Sequence, residues 1–110
     1  RGPRLELVAR QGTQAAMMGD TLVTSGREPV RVETRVQGAA GLVWRLVGAK
    51  GVLAEVPITA DDWAYEYTLA SRASAYVRAE VAQPLDPAEA EEPAALMLEA
   101  LGNPIFIQAV

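Results

Sequence analysis

Apolar and polar residues alternate singly along most of this chain, and a period of two is the spacing at which side chains leave opposite faces of a β-strand. Val30, Val32, Thr34 and Val36 interleave with Arg31, Glu33, Arg35 and Gln37, which predicts a strand with one buried and one wet face. A Gly-Ala-Ala-Gly break at 38–41 precedes a second strand, Leu42 to Val47. Residues 48–51 form a turn, and Val52 to Ile58 returns with Val52, Ala54, Val56 and Ile58 on one face. Residues 42–58 therefore read as a β-hairpin. After an Asp61-Asp62 turn, Trp63, Tyr65, Tyr67 and Leu69 alternate with Ala64, Glu66 and Thr68, and aromatic residues pack well on a pleated surface.

The same reasoning gives a strand from Tyr76 to Val81, with Val77, Ala79 and Val81 inward and Arg78 and Glu80 outward. Leu5 to Ala9 is a short strand, and Ile105 to Val110 is the last one. Ala15 to Met18 and Leu22 to Thr24 flank a Gly19-Asp20 turn and read as one broken edge strand. Pro84 to Pro93 is acidic and reads as an exposed loop, with room for a helical turn over Pro87–Glu92, since proline is tolerated at a helix start. Ala94 to Leu101 favours helix by composition but is read, at least in part, as extended. Seven or eight short strands without βαβ alternation imply an all-β fold. The expected form is an antiparallel, immunoglobulin-like β-sandwich occupying residues 1–110 as one domain.

Composition narrows function by exclusion. The 110 residues include no histidine and no cysteine, which removes the side chain that titrates nearest neutral pH and the thiolate nucleophile. No disulfide can hold the fold, and the absence of cysteine fits a cytoplasmic origin. The net charge of −4 argues against nucleic acid, which needs an uncompensated basic surface. Arg31, Arg35, Arg45 and Arg78 could lie together, but Glu33 and Glu80 sit among them. No apolar run is long enough to span a membrane as a helix, and no signal peptide follows Arg1-Gly-Pro-Arg4. With no initiator methionine, the chain reads as part of a longer protein.

The remaining chemistry is sparse. Asp61-Asp62 and Glu89, Glu91 and Glu92 could offer oxygens to Ca²⁺, but EF-hand spacing is missing, so they read as a solvated turn and loop. Paired carboxylates for glycoside hydrolysis must face each other across a cleft, which nothing in the sequence indicates. Ser71, Ser74, Thr24 and Ser25 have no histidine to activate them. Lys50 sits in a hairpin turn and would not be desolvated. The glycines match no phosphate-binding loop. No catalytic, cofactor-binding or metal-binding residue is therefore assigned. Trp44 reads as core. Trp63, Tyr65 and Tyr67 form either inter-sheet packing, which is favoured, or an exposed platform for a neighbouring domain, a protein or a sugar. Tyr76, opening its strand after residues 71–75, suits the place where sandwiches of this kind bond a tyrosine back to nearby backbone.

Three segments in order, Met17 to Leu22, Tyr76 to Val81 and Ala100 to Ile107, resemble the β-sandwich that follows the catalytic domain in some metal-dependent hydrolases of the PHP (polymerase and histidinol phosphatase) superfamily. There a "YVR" strand is followed, after a variable loop, by a closing "NPI" segment; here these are Tyr76-Val-Arg78 and Asn103-Pro-Ile105, and position 102 is glycine where threonine is expected. The resemblance implies a parent hydrolase, a phosphoesterase, whose divalent metals sit on a separate catalytic domain with H-x-H motifs that are missing here. It implies a non-catalytic accessory domain without cofactors, partnered by that catalytic domain, with a homo-oligomer also open. The alternative is an independent carbohydrate- or protein-binding module. In the closing motif, Pro104 belongs at a strand start, Asn103 is expected to bond local backbone, and Asn103→Ala is expected to cost about 1 kcal/mol.

Overall fold

The structure, a computed structural model, describes residues 2–84 and 98–109. Among these there is no helix, and ten strands are present: β1 Arg4–Gln11, β2 Gln14–Met17, β3 Thr21–Thr24, β4 Val30–Gln37, β5 Val43–Gly48, β6 Gly51–Pro57, β7 Asp62–Leu69, β8 Tyr76–Ala82, β9 Leu98–Leu101 and β10 Ile105–Ala109. They form two sheets with one core between them. The first is four-stranded, ordered β2-β1-β4-β7; the second is six-stranded, ordered β3-β10-β8-β5-β6, with β9 also paired to β8. The chain changes sheet at β2–β3, β3–β4, β4–β5, β6–β7 and β7–β8, so the two layers are stitched together repeatedly. The loop expected from Pro84 to Pro93 and the helical turn over Pro87–Glu92 fall outside the described residues beyond Pro84. Leu98–Leu101 is extended, in line with the reading of its segment.

Alternation does what it promised in the centre. Val30, Val32 and Val36 of β4, Leu7 and Ala9 of β1, Val77, Ala79 and Val81 of β8, and Trp44 and Leu46 of β5 are all buried in the shared core. Each large side chain so withdrawn from water contributes about 1.5–3 kcal/mol. Their outward neighbours Arg31, Arg35 and Glu6 stay exposed.

Four expectations need correction. The described residues hold ten strands rather than seven or eight. The sandwich is not wholly antiparallel: β3 runs parallel to β10, with Leu22 beside Ile107. The supposed broken edge strand is two strands in different sheets, because β2 pairs with β1 while β3 pairs with β10. The switch occurs at Gly19, whose N–H donates to the Pro104 carbonyl (2.9 Å). Finally, the hairpin's return strand does not keep Val52 with Ala54, Val56 and Ile58. The register slips so that Leu46 faces Ala54 but Val47 faces Val52. This bulge turns Val52 out to solvent and packs Leu53 against the core.

Candidate interaction surface

Register determines what each sheet shows to the outside. On the four-stranded sheet, Arg10 pairs with Arg31, Val8 with Glu33 and Glu6 with Arg35. Next to them, Arg31 pairs with Thr68, Glu33 with Glu66, Arg35 with Ala64 and Gln37 with Asp62. This face is dominated by charges of both signs, with the like pairs Arg10–Arg31 and Glu33–Glu66 directly opposed. Arg35 holds Asp62 through two bonds (2.9 and 2.8 Å), and Arg10 donates to Glu33 (2.9 Å). The hydrogen bond from Arg35, helped by its charge, keeps the Asp62 carboxyl below its ordinary value of 3.8.

The outer face of the six-stranded sheet is different. Phe106 lies beside Thr21 and Tyr76, Leu101 beside Glu80, Val47 beside Arg78 and Val52, and Val43 beside Ala82 and Pro57. Phe106, Leu101, Val23 and Val52 are each between 42 and 59 % exposed, an apolar complement that the other face lacks apart from Met17 and Val8. Single exposed apolar residues are ordinary; here several share one sheet face, between Thr21, Gln108, Arg78 and Glu80, and their number on that face is what points to a contact surface.

Across this face runs an ion network. Arg45 donates through Nε to Glu55 (2.8 Å) and through Nη1 to Glu80 (3.0 Å), and Arg78 donates to the other Glu80 oxygen (3.0 Å). Arg45 and Glu80 are only 9 and 8 % exposed. Burial acts to lower the Arg45 pKa, but the hydrogen bonds it donates to Glu55 and Glu80, with their charges, outweigh it and the net shift is upward. Arg45 is thus locked as a cation with both partners in place. Beside it a shallow groove of about 360 Å³ is lined by Val43, Arg45, Glu55, Pro57, Gln83 and Pro84.

The residues singled out from the sequence fall as follows. Trp63, Tyr65 and Tyr67 point between the sheets. Trp63 is buried and Tyr67 half-buried against the core. Trp44, fully buried as expected, has ring centroids 5.8 Å from Trp63 and 5.2 Å from Tyr65, and Trp63 and Tyr65 stack at 5.6 Å. Trp63 is thus withdrawn from solvent, while Tyr65 and, to a smaller extent, Tyr67 keep part of their surface exposed. Trp44 Nε1 and Thr34 Oγ1 are buried without hydrogen-bond partners among the described residues, a cost the tight ring cluster must offset. Arg31 and Arg35 lie on one outer face and Arg45 and Arg78 on the other, so the four arginines do not form a patch. Lys50 is an exposed turn residue. No group of three or more metal-ligating side chains occurs among the described residues; Glu89, Glu91 and Glu92 lie outside them.

The structural motifs shift by one or two residues. The Tyr76 hydroxyl makes no hydrogen bond among the described residues. The corner is tied instead by Ser74, whose Oγ donates to the Tyr76 carbonyl (2.6 Å) and accepts from the Ala49 N–H (2.9 Å). Nor does the exposed Asn103 side chain bond local backbone; the turn is held by Gly102, whose N–H donates to the Ala79 carbonyl (2.9 Å), and by the Pro104 carbonyl. A Cβ on Gly102 would stand 2.7 Å from Met18 Sδ and 3.2 Å from Leu5 Cδ2, so the glycine at this position fits its surroundings. The apolar outer face was missed, although a signal existed. Leu42 to Trp44, Leu46-Val47 and Ile105 to Ile107 are apolar at adjacent positions, which is how strands covered on both faces read. No family model, curated protein or solved structure matches the chain.

Proposed function

We propose that this chain is a non-catalytic, immunoglobulin-like accessory domain that docks through the outer face of its six-stranded sheet, its partner being the catalytic domain of a PHP-type metal-dependent hydrolase. The observation that carries the docking is the asymmetry of the two outer faces: one is mostly charged, with Met17 and Val8 its apolar members, and the other presents Phe106, Leu101, Val23, Val47 and Val52. The identity of the partner rests on the ordered YVR and NPI segments. The immunoglobulin-like assignment is supported by the orders β1-β4-β7 and β5-β8-β10, which follow the A-B-E and C-F-G orders of that fold.

The chemistry suits docking. Covering the apolar residues releases water at about 25 cal/mol per Å², while Arg45, Glu55, Glu80 and Arg78 already satisfy one another and need not find partners across the contact. The coding sequence upstream decides the partner: a histidine-rich region with H-x-H spacing is expected, and its absence removes the PHP-type parent. In the full-length protein, Phe106→Asp and Leu101→Asp are expected to release the domain to limited proteolysis. Unchanged protection would remove the six-stranded face from the contact.

A further inference from the structure

One end of the sandwich is closed by two loops that cross between the sheets, residues 25–29 from β3 to β4 and residues 70–75 from β7 to β8. Ser71 fastens them together, its Oγ donating to the Gly26 carbonyl (2.9 Å). Between them lies a groove of about 450 Å³ lined by Gly26, Arg27, Ala70, Ser71 and Arg72. Arg72 also borders a second groove of about 440 Å³ that reaches Ser74 and Ala109. Neither groove is lined by a carboxylate among the described residues. The one acid in the two loops is Glu28, and its carboxylate lies at Gly12 in the β1–β2 turn, 3.7 Å from where a Cβ there would stand.

Charge is sorted unevenly over the molecule. Arg4, Arg10, Arg35, Arg45 and Arg78 each meet a carboxylate within 3.7 Å. Arg27 and Arg31 form no such pair among the described residues, and Arg31, one residue into β4, lies opposite Thr68 at the same end. Arg72 stands out for its backbone. Its φ of 66° is the only positive value outside glycine among the described residues, in a turn closed by the Ala73 N–H donating to the Ala70 carbonyl (3.0 Å). A side chain in this left-handed conformation strains the chain. Glycine would hold the turn without that strain, whereas arginine places a guanidinium on the border of both grooves.

We propose that this end of the sandwich binds an acidic segment of a partner protein, laid across the two grooves with carboxylates on Arg27 and Arg72. Charge complementarity selects the occupant: guanidinium forks match carboxylates, and no acid lining the grooves competes for them. The two cations stand on separate loops rather than around one point, which suits an extended ligand with several carboxylates over a single small anion. Arg72 already makes an interaction within the chain, and its five donors leave room for a second. No aromatic side chain lines either groove, so the bases of a nucleic acid would find nothing to stack on.

Titration of fluorescein-labelled hexaglutamate with the 110-residue chain, followed by anisotropy at low ionic strength, tests this. Saturable binding is expected, fading as salt is added and absent for labelled hexalysine. Arg27→Ala and Arg72→Gly should each weaken it about threefold to fivefold, the scale of an exposed ion pair. Arg72→Gly should at the same time leave the melting temperature unchanged or higher, which a merely structural role for Arg72 would not allow. Arg4→Ala, which removes the same charge from the far end of β1, and Phe106→Ser, on the docking face, should each change binding by less than about twofold. No uptake of hexaglutamate, equal uptake of hexalysine, or indifference to both Arg27→Ala and Arg72→Gly would overturn the proposal. So would a lower melting temperature in Arg72→Gly, an equal loss in Arg4→Ala or Phe106→Ser, or displacement of the peptide by inorganic phosphate as readily as by unlabelled hexaglutamate.

Discussion

The two outer faces carry ion pairs of similar geometry but in very different settings. Arg35 and Asp62 meet at 2.8 Å with more than half of each side chain in water. Arg45 and Glu80 meet at 3.0 Å with about a tenth of each exposed. The first pair sits on β4 and β7, at the border of a narrow sheet where solvent reaches both charges. The second sits on β5 and β8, mid-sheet, flanked by β6 and by Leu101 of β9. Exposed pairs contribute little because water screens them. Enclosed pairs are costly to break because the survivor is left charged and desolvated. A face of the first kind is built to stay wet, whereas the second has its charges settled in advance and its apolar residues free for contact.

The sharpest way to break this contrast is Glu80→Ala. It leaves Arg45 with Glu55 as its one remaining ion-pair partner and removes the partner of Arg78, so a loss of about 2 kcal/mol is expected in urea denaturation. A loss below about 1 kcal/mol would put the two faces on the same footing. Next comes Gly102→Ala, which forces a methyl against Met18 and Leu5 where the chain passes from β9 to β10. Overpacking of this kind costs about 1–2 kcal/mol, and calorimetry should show the melting temperature fall. Phe106→Ser on the six-stranded face should change the stability of the chain by less than about 0.5 kcal/mol, since its side chain is half in solvent before any partner arrives; a large loss would mean that Phe106 serves the fold rather than a contact. Asn103→Ala belongs to the same class, revised from about 1 kcal/mol to within about 0.5 kcal/mol, because its side chain holds no backbone group.

The smallest effect belongs to the wet face. Arg35→Ala should leave the denaturation midpoint nearly unmoved while the Asp62 carboxyl, followed by NMR titration, climbs back to its ordinary value. The sign follows from the direction of the shift. Asp62 has a folded pKa below 3.8, so its contribution is present above that ordinary value and fades as pH falls through the lower folded value. Near neutral pH the contribution is fully present, so stability there should not vary with pH on its account. An Asp62 titration indifferent to Arg35 would remove the pair from the account.

How far the chain could be read in advance depended on the range of the interaction involved. Val30 to Gln37 and Tyr76 to Val81 were legible residue by residue, because each side chain's face is set by the pleat of its own strand. The aromatic run from Trp63 to Tyr67 was legible as a strand, but how far each ring is withdrawn depends on Trp44 of the other sheet, which packs on Trp63 and Tyr65. Leu53 could not be placed, since the bulge that turns it inward exists only in the pairing with β5. The Tyr76 and Asn103 roles were assigned by position in a motif, and neighbours took them: Ser74 reaches Ala49 across 25 residues of chain, and Gly102 is fixed by Met18 and Leu5 from the opposite end of the sequence.

By itself the sequence determined the all-β class, most strands, the inward set of the core and the lack of histidine and cysteine chemistry, because these depend on local alternation and on which residue types are present. Only the tertiary structure decided that β2 and β3 part company, that β3 runs parallel to β10, that Arg45 is enclosed while Arg35 is not, and that β7 presents an open edge. Those outcomes depend on which strands lie side by side. Neighbours in a sheet are joined by backbone hydrogen bonds common to every residue type, so the choice among them rests on the fit of the whole core.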